Sequence, residues 1–124
     1  MIIAIPQLNY KAGDIQGNSE KIISAIQKAQ NQKAELILFP ELAVSGALPQ
    51  DLLEREEFVN ACRMAVEKIA ATCTQIAAIV GAPNLDSENG IMYNSAYFIQ
   101  HGEVVDGVHK NILSDYDIFS ESRY

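Results

Sequence analysis

The stretch Leu36-Ile37-Leu38-Phe39-Pro40-Glu41 decides the fold. Four consecutive apolar residues are too few for a helix, and they do not alternate with polar ones. A strand covered on both faces reads this way. Pro40 stops the run because it brings no N–H to a ladder, and a carboxylate follows at once at the strand's carboxyl end. Upstream, Ile2-Ile3-Ala4-Ile5-Pro6-Gln7-Leu8 reads as a short buried strand with Pro6 its awkward member. Downstream, Ile76 to Gly81 reads as a third buried strand, closed by Gly81-Ala82-Pro83-Asn84.

Helical patterns fill the gaps between these strands. Gly13-Asp14-Ile15-Gln16-Gly17-Asn18 is turn-forming, and Asn18 is the expected N-cap of a helix running to about Gln32, with Ile22, Ile23, Ala25, Ile26 and Ala29 on its apolar face. A second helix is expected from Glu54 to about Cys73, striped by Val59, Cys62, Val66, Ile69 and Cys73. The rhythm then changes. Residues 92–100 and 103–110 read as two strands joined at His101-Gly102, a hairpin and hence antiparallel. The order implies an α/β fold, a mixed sheet with two helices on one face. Its second face is left uncovered although its strands read as buried on both sides. More chain or a partner subunit should cover it, and a homo-oligomer is the expected assembly.

Composition sets the class. With 124 residues the chain is long enough for one domain, and 48% hydrophobic residues are too many for disorder. The apolar runs are too interrupted to span a membrane, and Met1 to Pro6 lacks a cationic leader, so a cytoplasmic protein is expected. A net charge of -7 argues against nucleic acid, which calls for a basic face.

Two residues could carry chemistry. Glu41 sits where sheet proteins place reactive groups, although a solvated loop carboxylate would look the same. Lys110 also ends a strand, where lysines commonly serve solubility. Together they would supply an acid–base carboxylate and a cation for an oxyanion. Cys62 and Cys73 fall on the helix stripe and read as inert core thiols, too far apart along a helix to bridge. No CxxC occurs, and the histidines lack ligand spacing, so no metal site is expected. The acidic start of the second helix (Asp51, Glu54, Glu56, Glu57) suits the macrodipole, and Tyr93, Tyr97 and Phe98 read as sheet packing.

Leu38-Phe39-Pro40-Glu41-Leu42-Ala43-Val44-Ser45-Gly46 resembles the glutamate motif of the nitrilase, or carbon–nitrogen hydrolase, superfamily. Leu48-Pro49-Gln50-Asp51-Leu52-Leu53 is similar to one branch, the N-terminal glutamine amidotransferase domain of glutamine-dependent NAD synthetases. The likeness extends to Gln7-Leu8-Asn9, to residues 13–18, to Tyr93-Asn94-Ser95-Ala96 and to residues 109–124. It implies a partial α-β-β-α sandwich (nitrilase-like). Residues 1–124 would be the N-terminal part of a single carbon–nitrogen hydrolase (glutaminase) domain, the rest of that domain and the synthetase domain being absent.

By the same resemblance Glu41 matches the general base and Lys110 the lysine of a Glu-Lys-Cys triad, while Tyr116 matches the residue that holds substrate glutamine. The family's cysteine follows the lysine motif, so no nucleophile is assigned in this chain. The resemblance implies L-glutamine as substrate and the remainder of the amidase and synthetase domains as partners. It implies no cofactor for the amidase part, and ATP and Mg for the synthetase domain. Ala47 stands where the branch usually has tyrosine, and Ser114-Asp115 replace its Pro-Asn. Two alternatives stay open: a fragment of a stand-alone carbon–nitrogen hydrolase acting on another amide, and a non-catalytic remnant that binds a partner through its open sheet face.

Overall fold

The structure, a computed structural model, describes residues 1–46, 56–86 and 91–110. Among them the chain forms β1 (Ile3–Ala4), α1 (Ile15–Asn31), β2 (Leu36–Leu38), α2 (Glu56–Thr72), β3 (Ala77–Asp86), β4 (Ile91–Gln100) and β5 (Glu103–His109). They make one sheet in the order β1-β2-β3-β4-β5. The first two pairings are parallel and the last two antiparallel. Both helices cross between parallel neighbours in the same direction along the sheet. Right-handed crossovers then place both on one face, where α1 and α2 pack against each other.

The expected mixed sheet with its two helices is the observed fold. Its core lies between helices and sheet. α1 contributes Ile22, Ile26 and Ala29; α2 contributes Val59, Cys62, Val66 and Ile69; the sheet contributes Ile37, Ala78, Val80, Ala82 and Ile99. The strand residues in this set alternate with neighbours on the other face, as a period of two requires. On that other face Leu36, Leu38, Ala77 and Ile79 are only half-buried, Ile3 is 47% exposed and Val108 is 65% exposed. A face this apolar and this open matches the uncovered side expected from the strand pattern. None of the described helices is long and apolar enough to cross a membrane.

Three expectations need correction. The first strand is two residues long, not seven, and Ile2 and Ile5 are 57% and 62% exposed. Among the described residues it is an edge strand, paired only with β2. Second, Asn18 is not the cap of α1. Asp14 is, its carboxylate accepting the Gly17 N–H at 3.0 Å. Asn18 lies a full turn inside the helix, completely buried.

Third, β3 does not close at Gly81. It continues through Pro83, which pairs with Asn94, to Asp86. The main-chain groups of Ile79 and Gly81 face β2, their carbonyls accepting from Phe39 and Val44. Pro83 shares that side by alternation, at a level that β2 no longer reaches, so its missing N–H breaks no ladder bond. The helix start expected at Glu54 is not tested, because α2 is described from Glu56 and Asp51 and Glu54 lie outside the described residues. The hairpin matches its expected form. His101 and Gly102 both have positive φ, 55° and 79°, the geometry of a tight two-residue connection. The Gly102 N–H bonds the Cys73 carbonyl at 2.9 Å and ties the hairpin tip to the end of α2.

Candidate active site

Beyond β2 the chain turns across the sheet instead of away from it. Gly81 permits this. A Cβ there would stand 2.6 Å from both the Pro40 carbonyl oxygen and the Leu42 nitrogen, so the Pro40–Leu42 backbone lies directly on a residue without a side chain. Leu42 takes a left-handed φ of 53°, and the Val44 N–H reaches the Gly81 carbonyl at 3.2 Å. This turn carries Glu41 over β3 toward β4.

Asn18 holds the turn from behind. Its amide donates to the Lys11 carbonyl at 2.9 Å and to the Val44 carbonyl at 3.1 Å, and its side-chain oxygen accepts the Lys11 N–H at 2.9 Å. The Gly13 N–H adds a bond to the Ser45 carbonyl at 2.8 Å. Buried amides are retained where every polar group finds a partner, and here the partners are the two loops flanking the glutamate.

Glu41 and Lys110 meet. Lys110 Nζ donates to Glu41 Oε2 at 3.3 Å. The lysine side chain is 25% exposed and the glutamate 63%. An ion pair this open adds at most about 1 kcal/mol to stability, so its interest is positional. Asn94 lies between them on β4. Its amide donates to the same Glu41 Oε2 at 3.4 Å, and its carbonyl accepts the Lys110 N–H at 2.8 Å. The three residues, with Phe39, Gly81 and Val108, line a cavity of about 210 Å³. Strand alternation places Asn94 on the sheet face opposite the helices.

The same cavity is bordered by Ser95 and His109, whose Oγ and Nδ1 are 2.6 Å apart. A hydroxyl bonded to an imidazole is where a serine nucleophile would be sought. Strand alternation decides against it, because Ser95 and His109 belong to the helix-side face and Ser95 is 2% exposed. With Tyr93 stacked on the imidazole at 4.1 Å, the pair braces β4 to β5.

Both cysteines are buried in the core and neither lines the cavity. Burial pushes the Cys62 thiol up to about 12. It also raises Cys73, against a smaller opposing effect of the Thr72 hydrogen bond. Neutral thiols of this kind are inert.

A larger groove of about 810 Å³ runs along β1 and α1. It contains neither Glu41 nor Lys110, so size does not locate the chemistry. No group of three or more His, Cys, Asp or Glu side chains is placed to hold a metal among the described residues. Tyr116, Ala47 and Ser114-Asp115 lie outside the described residues. The sequence singles out Glu41 and Lys110, whereas Asn94 stands in the resembling run Tyr93-Asn94-Ser95-Ala96 with no role assigned to it. An amide among apolar strand residues was the available signal. Asn18 and Gly81 stand out in the sequence for other roles, a helix cap and a turn.

Residues 2–122 match the model of the carbon–nitrogen hydrolase family. The glutamine-dependent NAD(+) synthetase of Xylella fastidiosa is 39% identical over 123 residues, covering 98% of this chain and 22% of that protein. The Aquifex aeolicus protein of the same name is 36% identical, covering 98% and 21%. Among solved structures, the glutamine-dependent NAD+ synthetase of Acinetobacter baumannii in complex with ADP superposes with a TM-score of 0.90 at 34% identity, covering 98% of this chain and 23% of that one. An amidase of the nitrilase superfamily from Nesterenkonia gives 0.77 at 29%, covering 92% and 44%. The chain thus spans about 22% of the length of the synthetases it resembles. On the match over residues 2–122, the chain belongs to the carbon–nitrogen hydrolase family.

Proposed function

We propose that this chain is the N-terminal part of a glutamine-hydrolysing domain within a glutamine-dependent NAD synthetase, and that Glu41 and Lys110 are two of its three reacting groups. The observation that carries the reading is the Glu41–Lys110 contact in a cavity on the open face of the sheet. The names of the relatives support the substrate. A cysteine supplied by chain beyond this one would be the nucleophile. In support, a mutant of the Nesterenkonia amidase shows the result of Michael addition of acrylamide at the active site cysteine.

The chemistry follows from the two side chains. The Glu41 carboxylate takes the thiol proton, and the electron pair left on sulfur attacks the amide carbon of glutamine. The Lys110 ammonium stabilises the oxyanion that forms. As the C–N bond breaks, Glu41 returns the proton and ammonia leaves, with a thioester left for water to hydrolyse. Tyr116 would hold the substrate. The released ammonia would amidate a deamido-NAD precursor in the synthetase part, where ATP and Mg²⁺ supply activation. The described residues include no cluster suited to that metal, so no step here runs through it. The open sheet face would be covered by the remainder of the domain, with assembly into a homo-oligomer.

A chimera joining residues 1–124 to the corresponding downstream segment of the Xylella fastidiosa enzyme tests the substrate. Ammonia release with kcat/KM at least about a hundredfold higher for glutamine than for short aliphatic amides is expected. The reverse preference would favour a stand-alone amidase, and the residues 1–124 alone should release none.

A further inference from the structure

We propose that Asn94 is a positioning residue that fixes the Glu41 carboxylate through Oε2, leaving Oε1 as the oxygen that takes and returns the proton. The proposal deepens the glutaminase reading and rests on it for the identity of the reaction.

Asn94 is bonded to both partners of the pair by different groups. Its main-chain carbonyl takes the Lys110 N–H at 2.8 Å, and its side-chain amide donates to Glu41 Oε2 at 3.4 Å. The Lys110 ammonium donates to that same oxygen at 3.3 Å. Two donors therefore converge on Oε2, and among the described residues Oε1 accepts no hydrogen bond. A carboxylate held by one oxygen keeps the lone pairs of the other for an incoming proton.

Glu41 needs such an anchor. Its side chain is 63% exposed and would otherwise sample several rotamers. A lysine alone is a poor anchor, because its ammonium carries three donors on a flexible stem and must also face the oxyanion. Asn94 sits in a paired strand, opposite Pro83 on β3, so its amide is a fixed and uncharged donor. In the reaction the S–H bond breaks as Oε1 gains the proton. Oε1–H later gives that proton to the nitrogen leaving the amide carbon.

The Lys110 bond goes to the Asn94 main chain, so replacing the Asn94 side chain leaves it in place and isolates the Glu41 contact. In the chimera described above, Asn94→Ala should lower kcat for glutamine about tenfold with KM changed less than about twofold. Asn94→Asp should lower it about a hundredfold, because it sets a second carboxylate against the first. Asn94→Ser, which keeps a donor, should recover part of the loss. In a Glu41→Gln background Asn94→Ala should cost nothing further, whereas a merely structural role would add its cost there too.

A second readout needs no catalysis. In the isotope-labelled 124-residue chain, the Asn94 side-chain amide signal should lie at a different position in Glu41→Gln than in the parent. An amide signal indifferent to Glu41 would overturn the proposal, as would unchanged kcat in Asn94→Ala. If the parent chimera hydrolyses no glutamine, the glutaminase reading falls and the amide signal alone decides the role of Asn94.

Discussion

Gly81 lies in van der Waals contact beneath Leu42: a Cβ on Gly81 would stand 2.6 Å from the Leu42 nitrogen, where ordinary contact needs well over 3 Å. The close approach lets the glutamate turn cross β3 and reach β4. Gly81→Ala should therefore lift the turn and cost about 1–3 kcal/mol, the usual penalty for overpacking a rigid site. The neighbours at fault are backbone atoms, which cannot swing aside. Chemical denaturation measures the stability loss. An Asn94 amide signal that no longer responds to Glu41→Gln in the Gly81→Ala chain would report the lost placement of Glu41.

Asn18 and Asp14 separate a tertiary role from a local one. Asp14→Ala removes a cap and should cost about 1 kcal/mol. Asn18→Ala leaves the Lys11 N–H and the Val44 carbonyl without this partner and takes one of two donors from the Lys11 carbonyl, and should cost more, about 2–3 kcal/mol. The two unfolding midpoints compared side by side check the ranking.

Stability should fall at alkaline pH. Burial holds the Cys62 thiol up to about 12, whereas a thiol in the unfolded chain ionises near about 8.5. The folded chain keeps the neutral form that the unfolded chain surrenders. The contribution is full below the unfolded value and is lost as pH climbs from there toward about 12. The loss per thiol is roughly 1.4 kcal/mol per pH unit at its steepest. Cys73, Tyr10 and Tyr97 are raised chiefly by burial and act in the same direction. Urea titrations at several pH values should show this slope. Cys62→Ala, whatever its cost at neutral pH, should flatten it.

The order of elements was legible in the residues because hydrophobic period and turn chemistry agree over most of the chain. The α2 stripe of Val59, Cys62, Val66 and Ile69 is buried as its spacing implies, and His101-Gly102 makes the connection its residue types favour. Legibility fails where neighbours decide. Pro83 looks like a strand terminator until its N–H side is seen to face beyond the end of β2. Asn18 looks like a cap because capping is local, whereas its partners Lys11 and Val44 come from two separate loops. Glu41 and Lys110 stand out as strand-end polar residues, but their meeting across 69 positions depends on Gly81, which sequence shows only as a turn residue. Asn94 is visible only as a member of the run Tyr93-Asn94-Ser95-Ala96, because a lone amide in a strand has no periodic signature that would give it a role.

Glu41 and Lys110 are proposed to act together on an amide. Ammonia release from glutamine by the chimera, compared with its Glu41→Gln and Lys110→Met variants at equal folded protein, tests it most directly. We expect turnover in the parent and a loss of at least about a thousandfold in each variant, with the double variant little worse than either, as for groups that act as a unit. Turnover retained within about tenfold in either single variant would contradict the claim, as would ammonia release by residues 1–124 alone.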